Sequence, residues 1–173
     1  LQGEGRLLYI ATMYPYKCNT TEIDPETMQR IERHRAMRAD KGFDTVECYR
    51  HVEHIVAKRQ DVLLLECMSN LLANEMYLEP DSNAGSDMAE TMSPVSNKIV
   101  QALIDLSTRV QELVIVTNDV FSDGGSLTYD ESTREYVKNL AEINCALARE
   151  AATVTEVVCG IPVIVKKNHP MGK

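Results

Sequence analysis

The segment Leu7-Leu8-Tyr9-Ile10-Ala11-Thr12 is a short apolar run that ends in a polar residue, and its pattern recurs along the chain. Similar apolar runs occupy residues 62–65, 113–116 and 154–158. Continuous apolar runs of this length are typical of strands buried on both faces, as in a parallel sheet covered by helices. These runs therefore predict an α/β fold.

Helical patterns separate the apolar runs. One helix is predicted to begin at Asp24-Pro25, because aspartate caps helix N-termini well and proline is favoured at the first helical position. Two more are predicted at about residues 94–107 and 131–151, which gives connections long enough for parallel strands. The apolar face of the last helix is predicted to contain Val137, Leu140, Ala141, Leu147, Ala148 and Ala151. Asn144 interrupts that face. Its side chain is interpreted either as a buried polar group with hydrogen-bond partners inside the protein or as a contact to a ligand.

Residues 157–166 are predicted to form two strands that turn about Gly160 and give an antiparallel edge. Pro162 suits an edge strand, because proline lacks the N–H group that a central strand uses for pairing. The polar stretch 79–93 is interpreted as a lid or as a simple loop, and composition does not decide between the two. No repeat or low-complexity segment indicates a second domain, so one domain is expected over residues 1–173.

The composition excludes several classes of protein. The chain has 173 residues, 44% hydrophobic and 25% charged, and a formal net charge of -8, which argues against general affinity for nucleic acid or anionic membranes. Five cysteines are scattered without a Cys-x-x-Cys pair, so neither a disulfide framework nor a zinc site is predicted. No apolar run approaches the roughly 20 residues that span a bilayer. We expect a cytoplasmic protein without a membrane span.

A basic stripe surrounds His34. At helical spacing, Arg30, His34 and Arg38 lie on one face of a helix, each four residues from the next. Arginines donate charge-assisted hydrogen bonds to phosphate oxygens, and their charge keeps a nearby imidazole neutral and able to attack phosphorus. The stripe therefore predicts a nucleophile among phosphate-binding groups. The alternative is a solvated basic helix face with an incidental histidine.

Polar residues follow the apolar runs, where ligands bind in open α/β sheets. Thr12 follows the first run, Glu66 the second, and Thr117-Asn118-Asp119 the third. A carboxylate at the end of a buried strand can hold magnesium or orient water in phosphoryl chemistry. Glu66 is therefore a candidate for such a role, with a helix cap or a turn acid as the alternative.

An ordered series of seven short motifs runs along the chain: Tyr9-Ile10-Ala11-Thr12, Arg30-Ile31 with His34 and Arg38, Thr45 with Glu47, Leu65-Glu66-Cys67 with Asn74, Val116-Thr117-Asn118-Asp119-Val120, Arg134 with Asn144 and Leu147-Ala148, and Gly160-Ile161-Pro162 with Lys166. By this series the chain resembles the bifunctional adenosylcobinamide kinase and adenosylcobinamide-phosphate guanylyltransferase family, which assembles the nucleotide loop of cobalamin. The resemblance implies a three-layer α/β fold like that of P-loop NTPases. Its mostly parallel sheet would be flanked by helices, with an antiparallel C-terminal edge hairpin.

The resemblance also implies a mechanism and a site. His34 would accept GMP from GTP as a phosphoramidate and pass it to adenosylcobinamide phosphate. The implied guanine-nucleotide-binding positions are Ala11, Thr12, Met13, Arg35, Ala36, Met37, Arg38, Glu47 and Glu66, with Glu66 also a candidate Mg²⁺ ligand. GTP, ATP and Mg²⁺ would be used with adenosylcobinamide and its phosphate, and the chain would form a homo-oligomer, for example a trimer.

Members of that family carry a Gly-rich phosphate loop ending in Gly-Lys-Ser or Gly-Lys-Thr ahead of the strand that contains Tyr9. Gly3 and Gly5 lack this ending. Because backbone amides and the loop lysine hold the phosphates, kinase activity would need that loop. We therefore expect a strand and a phosphate loop before Leu1. The alternative is a truncated, non-catalytic nucleotide-binding or structural homologue.

Overall fold

A computed structural model describes residues 5–17, 20–78, 92–120 and 129–168. In chain order the elements are β1 (Leu7–Ala11), α1 (Pro25–Arg38), β2 (Phe43–Glu47), β3 (Val62–Glu66), α2 (Met68–Tyr77), α3 (Pro94–Arg109), β4 (Glu112–Val116), α4 (Glu131–Glu150), β5 (Thr153–Val158) and β6 (Ile161–Lys167). Short 3-10 turns at Ala39–Lys41 and Val52–His54 lie on either side of β2. Most of the predicted loop or lid at 79–93 lies outside the described residues.

The described residues confirm the predicted α/β class. Strands in the order β2-β1-β3-β4 form a sheet in which every pairing is parallel. β5 and β6 form a separate antiparallel pair. The helix that begins at Asp24-Pro25 is also confirmed, because the Asp24 side chain accepts hydrogen bonds from the Glu26 amide at 3.3 Å and from the Thr27 hydroxyl at 2.6 Å.

The core lies on one face of the sheet. Leu8 and Ile10 of β1 and Leu63 and Leu65 of β3 are at most 1% exposed and belong to one cluster with residues of α2, α3 and α4. Burying a leucine or isoleucine side chain contributes roughly 1.5–3 kcal/mol, so these side chains stabilise the fold substantially. The alternating residues of the same strands face α1 instead.

The prediction that every apolar run is buried on both faces is wrong for two of them. In β4, Val114 is 42% and Val116 is 38% exposed, because among the described residues helices cover mainly the opposite face. β5 does not join the parallel sheet but pairs only with β6, and its Val157 is 66% exposed. A continuous apolar run predicts a strand, but it does not say what lies against each face.

The predicted turn about Gly160 is confirmed. Cys159 and Gly160 both have positive φ, 51° and 80°, which is the pattern of a type I′ hairpin turn. Pro162 pairs with Val157 within this hairpin. Lys166 anchors the hairpin to the end of α4, because its ammonium donates to the carbonyls of Ala148 and Arg149 at 3.0 and 2.7 Å.

The core-facing side of α4 differs from the predicted one. Its buried residues are Asn139, Leu140 and Ile143, so the helix is rotated relative to the predicted apolar face. The polar Asn139 is tolerated there because its oxygens lie 3.3 Å from the Ser96 hydroxyl, which donates to them. Asn144 is half-buried and accepts a 2.8 Å hydrogen bond from the Thr117 hydroxyl. It connects α4 to the loop that follows β4.

A buried carboxylate fixes the start of the sheet. Asp61 is 0% exposed and accepts hydrogen bonds from the Arg6 amide at 3.0 Å, the Arg6 guanidinium at 2.6 Å and the Lys58 amide at 2.8 Å. The Arg6 side chain holds the pKa of Asp61 well below its usual range. The ionised Asp61 therefore adds its full contribution to the free energy of unfolding above the unfolded pKa of about 4. This contribution is lost as the pH falls towards the pKa of Asp61 in the folded protein.

We expect Asp61→Asn to lower the midpoint of thermal unfolding at pH 7 and to reduce the destabilisation of the fold between pH 5 and pH 2. Circular dichroism melts across this pH range measure both effects. Asp40→Asn, at an exposed carboxylate in the turn after α1, is the matched control and should change neither. An unchanged acid profile for Asp61→Asn would contradict this role.

Candidate active site

The candidate site forms at the carboxyl edge of the parallel sheet. Ala11, the last residue of β1, pairs with Glu47 at the end of β2 and with Glu66 at the end of β3. Matched positions of parallel strands point to the same face, so both carboxylates project on the side of α1. Two acidic groups therefore flank the end of the central strand.

Thr12 joins the ends of two strands from within the protein. It is 0% exposed, and its hydroxyl donates to the Cys67 carbonyl at 2.9 Å and accepts from the Cys67 amide at 2.8 Å. The peptide bond between Glu66 and Cys67 is cis. Because both functions of the hydroxyl are used inside the protein, Thr12 supports the site rather than facing a ligand.

Asn74 of α2 holds two of these loops together. Its side-chain amide donates to the Thr12 carbonyl at 2.8 Å and to the Tyr49 carbonyl at 2.9 Å. The residue is 8% exposed, so water does not replace these bonds easily. The loops after β1 and β2 therefore have fixed positions relative to each other.

His34 faces a carboxylate that a second group holds in place. Its Nδ1 lies 3.5 Å from Glu66 Oε1, while Glu66 Oε2 accepts a 2.8 Å hydrogen bond from the Tyr9 hydroxyl. Burial raises the pKa of Tyr9, and the bond to Glu66 raises it further, so the hydroxyl remains a donor at neutral pH. A carboxylate opposite Nδ1 favours the tautomer with the proton on that nitrogen, which leaves the lone pair on Nε2.

Arg38 lies one helical turn after His34 and is fixed by packing. Its guanidinium carbon is 4.0 Å from the centroid of the Tyr9 ring, a cation–π contact, and its Nε donates to the Thr45 hydroxyl at 3.3 Å. The residue is only 9% exposed. Its positive charge therefore stands at a defined place at the bottom of the site.

Arg35 and Glu47 form an ion pair at the rim of the site. The second oxygen of Glu47 accepts a 2.9 Å hydrogen bond from the Tyr49 hydroxyl. About half of the Arg35 side chain is exposed, so this pair contributes little to stability and its partners can exchange for a ligand.

These groups surround a cleft of about 240 Å³. It is lined by Tyr9, Ala11, Met13, Arg30, Ile31, His34, Arg35, Arg38, Glu47, Tyr49, Glu66, Cys67, Ser69, Asn70, Val116 and Asn118. The structure thus brings most of the predicted site residues together around His34. Arg30, which was predicted only as a part of the basic stripe, also lines the cleft.

Three of the predicted nucleotide-binding residues do not line the cleft. Thr12 is buried behind it, while Ala36 and Met37 lie on the exposed side of α1, where Met37 is 57% exposed. Ala36 is two residues after His34 and lies about 200° around the helix from it, while the Met37 side chain is directed to solvent and does not line the cleft. Nucleotide binding by Thr12, Ala36 and Met37 therefore stays a prediction that the lining of the cleft does not support.

Three residues of the site had no predicted role. Tyr9 and Asn74 belong to the motif series, but Tyr9 lies within an apolar strand and Asn74 within a helix. The residues next to them in sequence therefore indicate no role in the site. Tyr49 carried no signal at all, because its importance depends on Glu47 and Asn74 being brought next to it by the fold.

No group of three or more His, Cys, Asp or Glu side chains able to hold a metal ion occurs in the described part of the chain. Both Glu66 oxygens already face protein groups, Tyr9 and His34. In nucleotide enzymes Mg²⁺ is often held by one or two carboxylates together with substrate phosphates. We expect the ion to arrive with the nucleotide, and Glu66 as its ligand stays a prediction.

Comparison with protein families identifies the chain. A family described as cobinamide kinase / cobinamide phosphate guanyltransferase matches residues 1–165. The chain belongs to this family. No individually curated protein matches the chain well enough to count as a relative. Membership of the cobinamide kinase and guanyltransferase family supports transferase chemistry on nucleotide and cobinamide substrates in cobalamin biosynthesis.

Among the described helices, none is both long and apolar enough to cross a membrane.

In this member of the cobinamide kinase and guanyltransferase family, we expect Asn74→Ala to destabilise the fold by about 1–3 kcal/mol, because two buried carbonyls lose their donor. Urea unfolding followed by circular dichroism measures the change. Tyr77→Phe, on the same helix, removes one exposed hydrogen bond to the Ser132 carbonyl and should cost at most about 0.5 kcal/mol. Equal effects of the two substitutions would show that Asn74 does not fasten the loops.

Proposed function

We propose that the chain transfers GMP from GTP to adenosylcobinamide phosphate through a covalent intermediate on His34. The observation that supports this most strongly is the placement of His34 between Glu66 and the arginines of α1 in one cleft. A nucleophile, a group that orients it and cations for phosphate oxygens are the parts that such a transfer needs.

In the first step the lone pair of His34 Nε2 attacks the α-phosphorus of GTP. The bond from that phosphorus to the bridging oxygen breaks, pyrophosphate leaves, and GMP is joined to the imidazole as a phosphoramidate. In the second step a phosphate oxygen of adenosylcobinamide phosphate attacks the same phosphorus. The phosphorus–nitrogen bond breaks and His34 is regenerated, so two easier displacements replace one.

The carboxylate of Glu66 stabilises the positive charge that develops on the imidazole during attack. Since Tyr9 holds Oε2, Oε1 remains directed at Nδ1 of His34 throughout. This preorganisation means that little rearrangement is needed as charge develops. Attack uses the Nε2 lone pair, so the imidazole must be neutral when it attacks phosphorus.

The arginines of α1 neutralise the phosphates. Arg38 is held by Tyr9 and Thr45 and offers a fixed positive charge. Arg35 is paired with Glu47 in the free protein and can turn to the nucleotide, which leaves Glu47 to accept hydrogen bonds from ribose or guanine. Arg30 adds a third cation on the same side of the cleft.

Kinase activity on adenosylcobinamide with ATP or GTP is the second part of the proposal, and it rests on the family alone. Mg²⁺ bound to the nucleotide, assembly into a homo-oligomer such as a trimer, and a cytoplasmic location are further parts that rest on the resemblance or the composition. A non-catalytic homologue remains the alternative, and the experiments below distinguish it from an enzyme.

We expect His34→Ala to abolish GMP transfer to adenosylcobinamide phosphate, because no other group in the cleft is placed to form the phosphoramidate. Chromatography of the GDP-cobinamide product after incubation with GTP and magnesium measures the transfer. Arg33→Ala changes an exposed residue of the same helix that does not line the cleft, and it should retain activity. Product formation by His34→Ala at the wild-type rate would exclude the proposed intermediate.

We expect Glu66→Gln to slow GMP loading by about 10–100-fold, the usual effect of removing a group that orients a histidine. Tyr9→Phe should slow GMP loading less, because Glu66 keeps its charge and loses only the hydrogen bond from the Tyr9 hydroxyl. Both effects should appear in kcat with little change in KM for GTP, which single-turnover kinetics would separate. An increase in KM with kcat unchanged would place Glu66 in nucleotide binding instead.

A further inference from the structure

A second and larger depression adjoins the His34 cleft. This groove has a volume of about 1260 Å³, and its lining includes Tyr14, Thr20, Thr21, His51, His54 and Val56. Glu47 and Tyr49 line both spaces, so the groove and the cleft share part of a wall. Pockets for drug-sized ligands usually measure about 300–1,000 Å³, so the groove suits a larger molecule.

The walls of the groove combine apolar and aromatic surface. Val56 is 86% exposed, and the rings of Tyr14 and Tyr49, which line the same groove, meet edge to face at 5.4 Å. An exposed apolar side chain and aromatic rings in one groove suit a broad, largely apolar ligand with polar groups at its edge.

Two imidazoles lie at one side of the groove. The rings of His51 and His54 are stacked, with centroids 5.6 Å apart and an interplanar angle of 26°. His51 is held from several directions: its Nδ1 is 3.0 Å from Glu53 and 3.3 Å from the Lys98 ammonium, and its amide donates to Glu75 at 2.7 Å. His54 is exposed at the end of the turn and is positioned by the ring of His51.

We propose that this groove binds the corrin ring of the cobinamide substrate and that the imidazole of His54 becomes the lower axial ligand of its cobalt. This inference rests on the proposed function, which supplies cobinamide as the substrate. Cobinamide has no nucleotide base of its own, so its lower cobalt position holds water. Neutral imidazole is the commonest side-chain ligand of transition metals.

The ligation is a simple exchange. A lone pair of a His54 ring nitrogen forms a bond to Co(III), the bound water leaves, and the oxidation state of cobalt does not change. The apolar walls contact the macrocycle, while Thr20 and Thr21 offer hydroxyls to its peripheral amides. The phosphorylated arm of the substrate then reaches across Glu47 and Tyr49 to the GMP on His34.

Absorption spectroscopy of adenosylcobinamide mixed with the protein in the dark tests the proposal. Replacing axial water by imidazole shifts the long-wavelength corrin band to the red, so we expect a saturable red shift with the wild-type protein. His54→Gln keeps a polar side chain that cannot ligate cobalt in the same way, and it should abolish the shift and weaken binding by about tenfold. Its thermal melt should match that of the wild type, because His54 is exposed.

Arg59→Gln, at an exposed position outside the groove, is the matched control and should retain the full red shift. His51→Asn, where asparagine tolerates the positive φ of 57°, removes the ring that stacks on His54 and should weaken the shift without abolishing it. A shift that survives in His54→Gln, a shift lost only in His51→Asn, or saturable binding without any shift would each overturn the assignment.

GTP loading of the same wild-type preparation separates this inference from the proposed function. If GMP is attached to His34 but adenosylcobinamide causes no spectral change, the groove and His54 are wrongly assigned while the proposed function stands. If neither GMP attachment nor corrinoid binding is detected, the proposed function itself fails.

Discussion

The parallel register of β1 with its two neighbours is the constraint on which the site depends. It sets Ala11 level with Glu47 on one side and Glu66 on the other, so both carboxylates reach the face of α1. A shift by one residue would turn them towards the leucine core, where an uncompensated charge is costly. Leu8, Ile10 and the other buried leucines hold this register through their packing, so the core that stabilises the fold also positions the chemistry.

The parts of the fold that local pattern specifies were predictable: the apolar strands, the capped start of α1 and the hairpin at Gly160. β2 was missed as a strand because Asp44, Thr45 and Glu47 make it too polar for an apolar run, as is common at a sheet edge. The pairing of β5 with β6 was predictable from the turn at Gly160, but the expectation that β5 is buried on both faces like a strand of the parallel sheet is wrong. What covers each face of a strand depends on contacts that are distant in sequence, and no local pattern contains them.

In the site, too, some residues could be predicted from local sequence pattern and others could not. The stripe of His34 and Arg38 follows from helical spacing, and Glu66 follows from its place after an apolar run. The groups that make this arrangement precise come from elsewhere in the chain: the Tyr9 hydroxyl on Glu66, and Asn74 between two loops. Thr12 shows the converse, because a residue at the end of a strand is used to join the backbone rather than to bind a ligand.

We propose that the cleft combines a histidine nucleophile with one orienting carboxylate and several phosphate-binding cations. Peptide mapping by mass spectrometry after incubation with GTP and magnesium tests this most directly, under non-acidic conditions because phosphoramidates are labile in acid. We expect one GMP attached to His34 and released by mild acid. GMP on a different residue, or no adduct on a folded protein that binds GTP, would contradict it.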